Sequence, residues 1–170
     1  MLFRSTPEQW FKVDPPVDAE IARRFGAVRD TIAMAAPDTL LGDAKTSLAA
    51  VIALDQFPRN LFRGTARAFE TDAKALVHAE RAIALGHDQE TDLKRRKFYY
   101  LPFEHAEDPE LQARSVALFS TLGDPEADRY AVAHKVIIDR FGRFPHRNAA
   151  LGRVSTAEEL AFLKEPMSSF

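Results

Sequence analysis

Between His134 and Asn148 the chain reads His-Lys-Val-Ile-Ile-Asp-Arg-Phe-Gly-Arg-Phe-Pro-His-Arg-Asn, with two histidines, three arginines and one asparagine in fifteen residues. Histidine titrates near neutral pH and can move a proton. Arginine offers a planar five-donor fork that suits carboxylate or phosphate. A shorter echo lies at Leu54-Asp-Gln-Phe-Pro-Arg-Asn-Leu-Phe-Arg63. Phe57-Pro-Arg-Asn60 and Phe144-Pro-His-Arg-Asn148 differ by the inserted His146, and each leads into a Leu and then an Arg, Arg63 and Arg153. Both runs are expected to be helix-ending corners, because a residue before proline is pushed out of the α region. As pure architecture, each Arg would bond the orphan carbonyls of a helix C-terminus. If the corners face one another, their arginines meet a common anion.

The leading expectation is a small anionic ligand, phosphate or carboxylate, in an Arg/His-rich pocket. Arg59, Asn60, Arg63, Arg140, Arg143, His146, Arg147 and Asn148 are its expected binding residues. His105, Glu107 and His134 are the candidate acid–base groups, with Glu107 orienting one histidine. A hydrolase-type enzyme using His and Glu is a third use of the same groups. The second is a protein-interaction scaffold, since stacked helical hairpins form a concave groove. Imidazole and carboxylate also suit zinc, iron or manganese, but no His-x-x-x-His or Glu-x-x-His pair is present, so no metal is expected. No P-loop, dinucleotide fingerprint or nucleophile elbow occurs, and no cofactor is expected.

Lys94-Arg-Arg-Lys97 before Phe98-Tyr-Tyr100 has the composition of a nucleic-acid patch. On a helix, however, four consecutive residues point all round, and the aromatics are better placed in a core. Nucleic acid is therefore not the expected partner, nor is a membrane. His78 and His87 have polar, helix-surface contexts and no assigned role.

The elements that must position these groups are helical. Thr6 can cap a short helix at Pro7–Phe11 that Pro15-Pro16 ends, and Asp18 can cap the next, where Ile21, Phe25, Val28 and Ile32 make one face. A third helix is expected from Asp43 to Gln56. Its inward stripe is Leu48, Val51, Ile52 and then Asp55, so a carboxylate continues an apolar row. Further helices are expected over Phe69–Leu85, Asp92–Leu101 (stopped by Pro102) and Pro109–Leu122. The last two open at Asp124-Pro125 and at Ser155-Thr156-Ala-Glu-Glu159, which holds two overlapping capping boxes. No strand-like alternation appears. The expectation is an all-α chain of about eight helices stacked as antiparallel hairpins, a single helical domain over residues 1–170.

A chain of 170 residues can bury about two-thirds of its unfolded surface. Net charge is −2, which implies no general pull toward polyanions. With no cysteine, thiol catalysis, disulfides and Cys-based zinc are excluded, and a cytoplasmic location is expected. The N-terminus lacks the long apolar core of a signal peptide. Oligomeric state is not legible.

Three runs carry a family resemblance. They are Leu54–Asn60 with Arg63-Gly-Thr65, Phe98-Tyr-Tyr-Leu-Pro-Phe-Glu-His-Ala-Glu107, and Arg140–Asn148 with Leu151-Gly-Arg-Val-Ser-Thr156. Together with Gln9-Trp-Phe-Lys12 they resemble the bacterial domain of unknown function 924, from about Pro7 to Leu163. The resemblance implies a tetratricopeptide-like helical fold and no established activity. The family often has an apolar-aromatic segment before the position of Pro7, where six residues stand here. Where the family has His-Ser-Glu, this chain has His105-Ala106-Glu107, one hydroxyl fewer.

Overall fold

The computed structural model describes residues 13–169. These fold into seven α-helices, α1 (Pro15–Met34), α2 (Ala44–Leu61), α3 (Asp72–Ala84), α4 (Leu93–Glu104), α5 (Pro109–Ser120), α6 (Pro125–Phe141) and α7 (Ala157–Phe162). Short 3-10 turns at Pro37–Leu40, Ala66–Phe69 and Pro145–Arg147 complete them, and the described residues contain no strand. The short helix expected at Pro7–Phe11 lies outside the described residues.

Local chemistry sets most helix starts. Asp14, Asp108 and Asp124 each stand as N-cap before a proline at the first helical position, and each carboxylate accepts a backbone N–H of the first turn. Proline loses nothing there, since that N–H has no helical partner anyway. Pro15-Pro16 therefore opens α1, and Asp14 takes the cap expected of Asp18. Thr156 and Glu159 form the capping box of α7.

Two prolines expected to end helices lie inside them. Pro58 sits within α2 and Pro102 within α4. A proline removes the N–H that would bond the carbonyl four residues back. For Pro58 that carbonyl belongs to Leu54, and the Thr71 hydroxyl donates to it at 2.6 Å. A buried side chain thus replaces the missing backbone bond, and α2 continues to Leu61. The two similar runs are consequently not equivalent. Phe57–Asn60 is helix, whereas Phe144–Asn148 follows a true end at Gly142, whose φ of +67° is the left-handed conformation that glycine adopts freely.

Each helix from α1 to α6 packs on the next, and α2 touches α4 as α4 touches α6, as in a stack of antiparallel hairpins. The core runs through Leu48, Val51 and Ile52 of α2, Ala79 and Ala82 of α3, Phe98–Leu101 and Phe103 of α4, and Phe119 and Ala131 beyond. Phe98, Tyr99 and Tyr100 are all buried, so they are core and offer no stacking surface. Arg96 next to them donates to the Gln89 and Thr91 carbonyls. A smaller cluster, Ile137, Ile138, Phe144 and Phe162, seats the last corner and α7 on α6. No helix of the described residues is long and apolar enough to cross a membrane.

Candidate functional site

Where α2, α4, α6 and the last corner converge, polar groups interrupt the core. Asp55 completes the inward stripe of α2 and is 1% exposed. A lone buried carboxylate is costly, but this one is well supplied. His105 Nδ1 lies 2.8 Å from Oδ1, Gln56 Nε2 donates to Oδ2 at 2.6 Å, and Arg59 Nη1 stands 3.5 Å away. Burial works to raise its pKa. The charges of His105 and Arg59 and these hydrogen bonds outweigh burial and hold Asp55 far below the ordinary carboxylate range.

His105 is pushed below its ordinary value by burial and then by Arg59, with Asp55 pulling the other way. At neutral pH the pair is therefore aspartate and neutral imidazole, with Nδ1–H donating to Asp55 and Nε2 carrying the lone pair. This orientation is that of a carboxylate-held general base.

Glu104 lies beside this pair. It is 4% exposed, its Oε1 has no hydrogen-bond partner among the described residues, and burial followed by the Asp55 charge pushes it up to about 8. Two cation-capable side chains bear on it: Lys97, whose charge works to lower it, and His134, with Nδ1 3.6 Å from Oε1. That nitrogen already donates to the Tyr130 carbonyl at 2.8 Å, and burial, with His105 second, brings His134 down to about 3. Glu104 and His134 thus sit together as two neutral groups. The rings of His105 and His134 are 6.2 Å apart, and Phe144 separates His134 from His146. His146 is brought down to about 4 by burial and then Arg147, and its buried Nδ1 has no partner.

Arginines converge on the same place from two directions. Arg59 donates to both oxygens of Asp72 at 2.9 Å. Arg147, from the last corner, reaches the same carboxylate only at 3.6 Å. Its guanidinium lies between the rings of Phe69 and Phe144, at 4.8 and 4.5 Å from their centroids. It is 6% exposed and its Nε has no hydrogen-bond partner among the described residues. Burial, then repulsion by Arg59, lowers Arg147 to about 10.

The remaining expected site residues lie elsewhere. Asn60 and Arg63 both donate to Asp18 of α1. Arg140 is tied to Glu158, and Arg143 donates to both oxygens of Glu159 and to the Val154 carbonyl, so these two fasten α7. Asn148 donates to Ser155. Glu107 does not orient a histidine as expected. Its carboxylate accepts the Phe144 N–H at 2.8 Å and both ends of Arg153, which ties the end of α4 to the last corner. Asp55 takes the orienting role instead. No three histidine or carboxylate side chains among the described residues could together hold a metal. His78 and His87, expected on helix surfaces, are buried, and Ser47 bonds His87 Nδ1 at 3.0 Å.

Sequence reasoning missed Glu104 and Asp72. Asp72 is the first residue of α3, and only its shared arginines single it out. Glu104 closes a run, Phe98–Phe103, in which every residue is buried, so no periodicity marks its direction. The one available signal was a carboxylate adjoining an unbroken apolar segment, and it is a weak one.

On the outer side of α1 and α2 lies a groove of about 940 Å³, whose lining includes Phe25, Val28, Ile32, Leu48, Ile52 and Phe57. Asp43, Glu90 and Asp92 stand along it with Lys45 and Arg95.

No curated protein matches the chain. Among solved structures, a protein of unknown function from Agrobacterium tumefaciens, ATU0120, is 42% identical, with 95% of this chain and 92% of that one covered and a TM-score of 0.91. The family described as "Bacterial protein of unknown function (DUF924)" matches residues 3–167. With nearly the whole sequence matched, the chain belongs to the DUF924 family.

Proposed function

We propose that this domain binds a small oxyanion, a carboxylate or phosphate group, at Arg147 and Arg59, with His105 and His146 beside them. The carrying observation is Arg147. A guanidinium desolvated between two phenyl rings, without a hydrogen bond among the described residues and with only a 3.6 Å contact to a carboxylate that Arg59 already occupies, has donors to spare. An unsatisfied buried donor is costly, and a planar oxyanion matches its fork. Arg140, Arg143 and Arg63 are engaged with their own carboxylates and Arg59 with Asp72, so Arg147 supplies the spare donors and Arg59 adds its charge beside them.

Melting temperature measured against increasing sulfate, acetate and phosphorylated metabolites tests this. A ligand at a hundred times its Kd stabilises by about 2.7 kcal/mol. The expected result is a saturable rise that disappears in Arg147→Gln and Arg147→Lys. A rise of equal size in both variants refutes the assignment.

The groove on α1 and α2 supports a second use, docking of an amphipathic helical peptide by its apolar face. Stabilisation by such peptides, with none by anions, would favour it.

A further inference from the structure

We propose that His105 is a nucleophile for phosphoryl transfer, its Nε2 accepting the phosphoryl group of a small phosphoric monoester or acyl phosphate whose oxygens Arg147 and Arg59 hold. This rests on the anion binding proposed above and adds a reaction to it.

The unbonded atoms of two side chains carry the inference. His105 bonds Asp55 through Nδ1 at 2.8 Å, and Asp55 is also met by Gln56 and Arg59. A carboxylate gripped from those sides is ionised and can only accept, so the proton of that bond lies on Nδ1 and the lone pair on Nε2. Nε2 has no hydrogen-bond partner among the described residues. It is also not sealed off, since the side chain is 13% exposed and this nitrogen is not buried without a partner as His146 Nδ1 and Arg147 Nε are. Burial lowers His105 below its ordinary value, which keeps the lone pair free at neutral pH. Arg147 is built alike. Its Nε is buried, but its two terminal nitrogens keep some surface and make no hydrogen bond among the described residues, with Nη1 only approaching Asp72 at 3.6 Å.

Two routes of contact join His105 to Arg147. The polar route runs from Asp55 to Arg59 at 3.5 Å, from Arg59 to Asp72 at 2.9 Å and from Asp72 to Arg147 at 3.6 Å. The aromatic route runs from the His105 ring to His134 at 6.2 Å, from His134 to Phe144 at 5.5 Å and from Phe144 to the Arg147 guanidinium at 4.5 Å. The lone pair and the guanidinium fork thus belong to one ring of side chains. A lone pair beside an oxyanion site repels the oxygens and gains only from a proton or an electron-poor atom. A phosphoryl group supplies that atom, while its oxygens match the fork. A carboxylate carbon is a poor electrophile, so the reacting class is phosphoryl.

In the first step the Nε2 lone pair bonds phosphorus, and the bond from phosphorus to the leaving oxygen breaks. The electron pair of that bond departs with a phenolate or carboxylate. Nδ1 keeps its proton, and Asp55 compensates the positive charge of the phosphorylated ring. Arg147 and Arg59 stabilise the charge on the transferring oxygens. Water then attacks phosphorus, the N–P electron pair returns to Nε2, and dihydrogen phosphate leaves with the oxygen and both protons of that water.

The probes are 4-nitrophenyl phosphate and acetyl phosphate, incubated with the full chain, which is then denatured in alkali and mapped by mass spectrometry. The expected result is a phosphoryl group on His105, stable in alkali and lost in acid, with nitrophenolate released from the first probe. Sulfate should compete with the labelling. The position of the label is read in the unaltered protein, so the test does not depend on a variant. His105→Gln can still donate to Asp55, and it should lose label and release while keeping the rise in melting temperature with sulfate. Arg147→Gln should label about a hundredfold more slowly. Stabilisation by sulfate with no label from either probe, a label on another residue, or nitrophenolate release that survives His105→Gln overturns the reaction and leaves the anion site standing. Absence of both sulfate stabilisation and label overturns the anion site and this inference with it.

Discussion

Replacing Glu104 by Gln tests the electrostatic description of the core most directly. The two side chains are nearly isosteric, and Glu104 makes no hydrogen bond through Oε1 that Gln would lose. Burial and Asp55 raise the carboxyl from its ordinary 4.5 to about 8. The folded protein therefore holds a proton there that the unfolded chain releases above its ordinary value. Where the native state binds more protons, stability falls as pH rises. The contribution is complete below about pH 4.5 and is lost progressively up to about pH 8. At ~1.4 kcal/mol per unit the ceiling is on the order of 5 kcal/mol. Water entry and relaxation reduce such penalties, so the expected effect is about 1–3 kcal/mol. Urea unfolding at pH 5 and at pH 8.5 reads it out. Glu104→Gln should match the unaltered protein at pH 5 and exceed it at pH 8.5. If the variant is instead the less stable at pH 8.5, Glu104 is ionised and paired with a protonated His134, and the neutral pair described at that contact is refuted.

Two further perturbations probe the scaffold. Thr71→Val removes the side-chain donor to the Leu54 carbonyl that Pro58 leaves open, and should cost about 1–3 kcal/mol in urea unfolding, with Thr71→Ser recovering most of it. Hydrogen bonds from Arg143, then from the Thr156 N–H, hold Glu159 down to about 2, so the tie between α7 and the last corner is present above the ordinary carboxylate range and is lost as pH falls from there toward 2. Hydrogen exchange over residues 154–165 should lose protection across that acid window, and Arg143→Ala should abolish the protection at neutral pH. Retained protection in the variant would show that Phe162 packing alone seats α7.

The helical architecture was legible because its signals are local. Asp-Pro at a helix start, Gly142 at a helix end and the Thr156–Glu159 box each act within one turn. Proline inside a helix was misjudged for the opposite reason. What permits Pro58 is Thr71, which lies in a different element, and no local rule can anticipate that donor. The site was half legible. Asp55 stood out as a carboxylate on an apolar stripe, and Arg59, His105, His134 and Arg147 were named by type. How they pair was not visible, since Asp55 meets His105 across 50 residues of chain while Glu107, two residues from that histidine, turns to the Phe144 amide. Arginine density was a poor guide. The richest stretch, residues 140–147, divides between fastening α7 and entering the core.

The distance along the chain between these partners also says when the site's chemistry can exist. During synthesis Asp55 and Arg59 emerge long before His105, and Arg147 follows as the last member of the cluster. Until α2, α4 and α6 pack together, Glu104 and the histidines lack the burial that shifts them. An unfolded chain thus carries every residue of the cluster and none of its shifted proton affinities. The acid–base character belongs to the finished fold and is lost wherever that packing is lost.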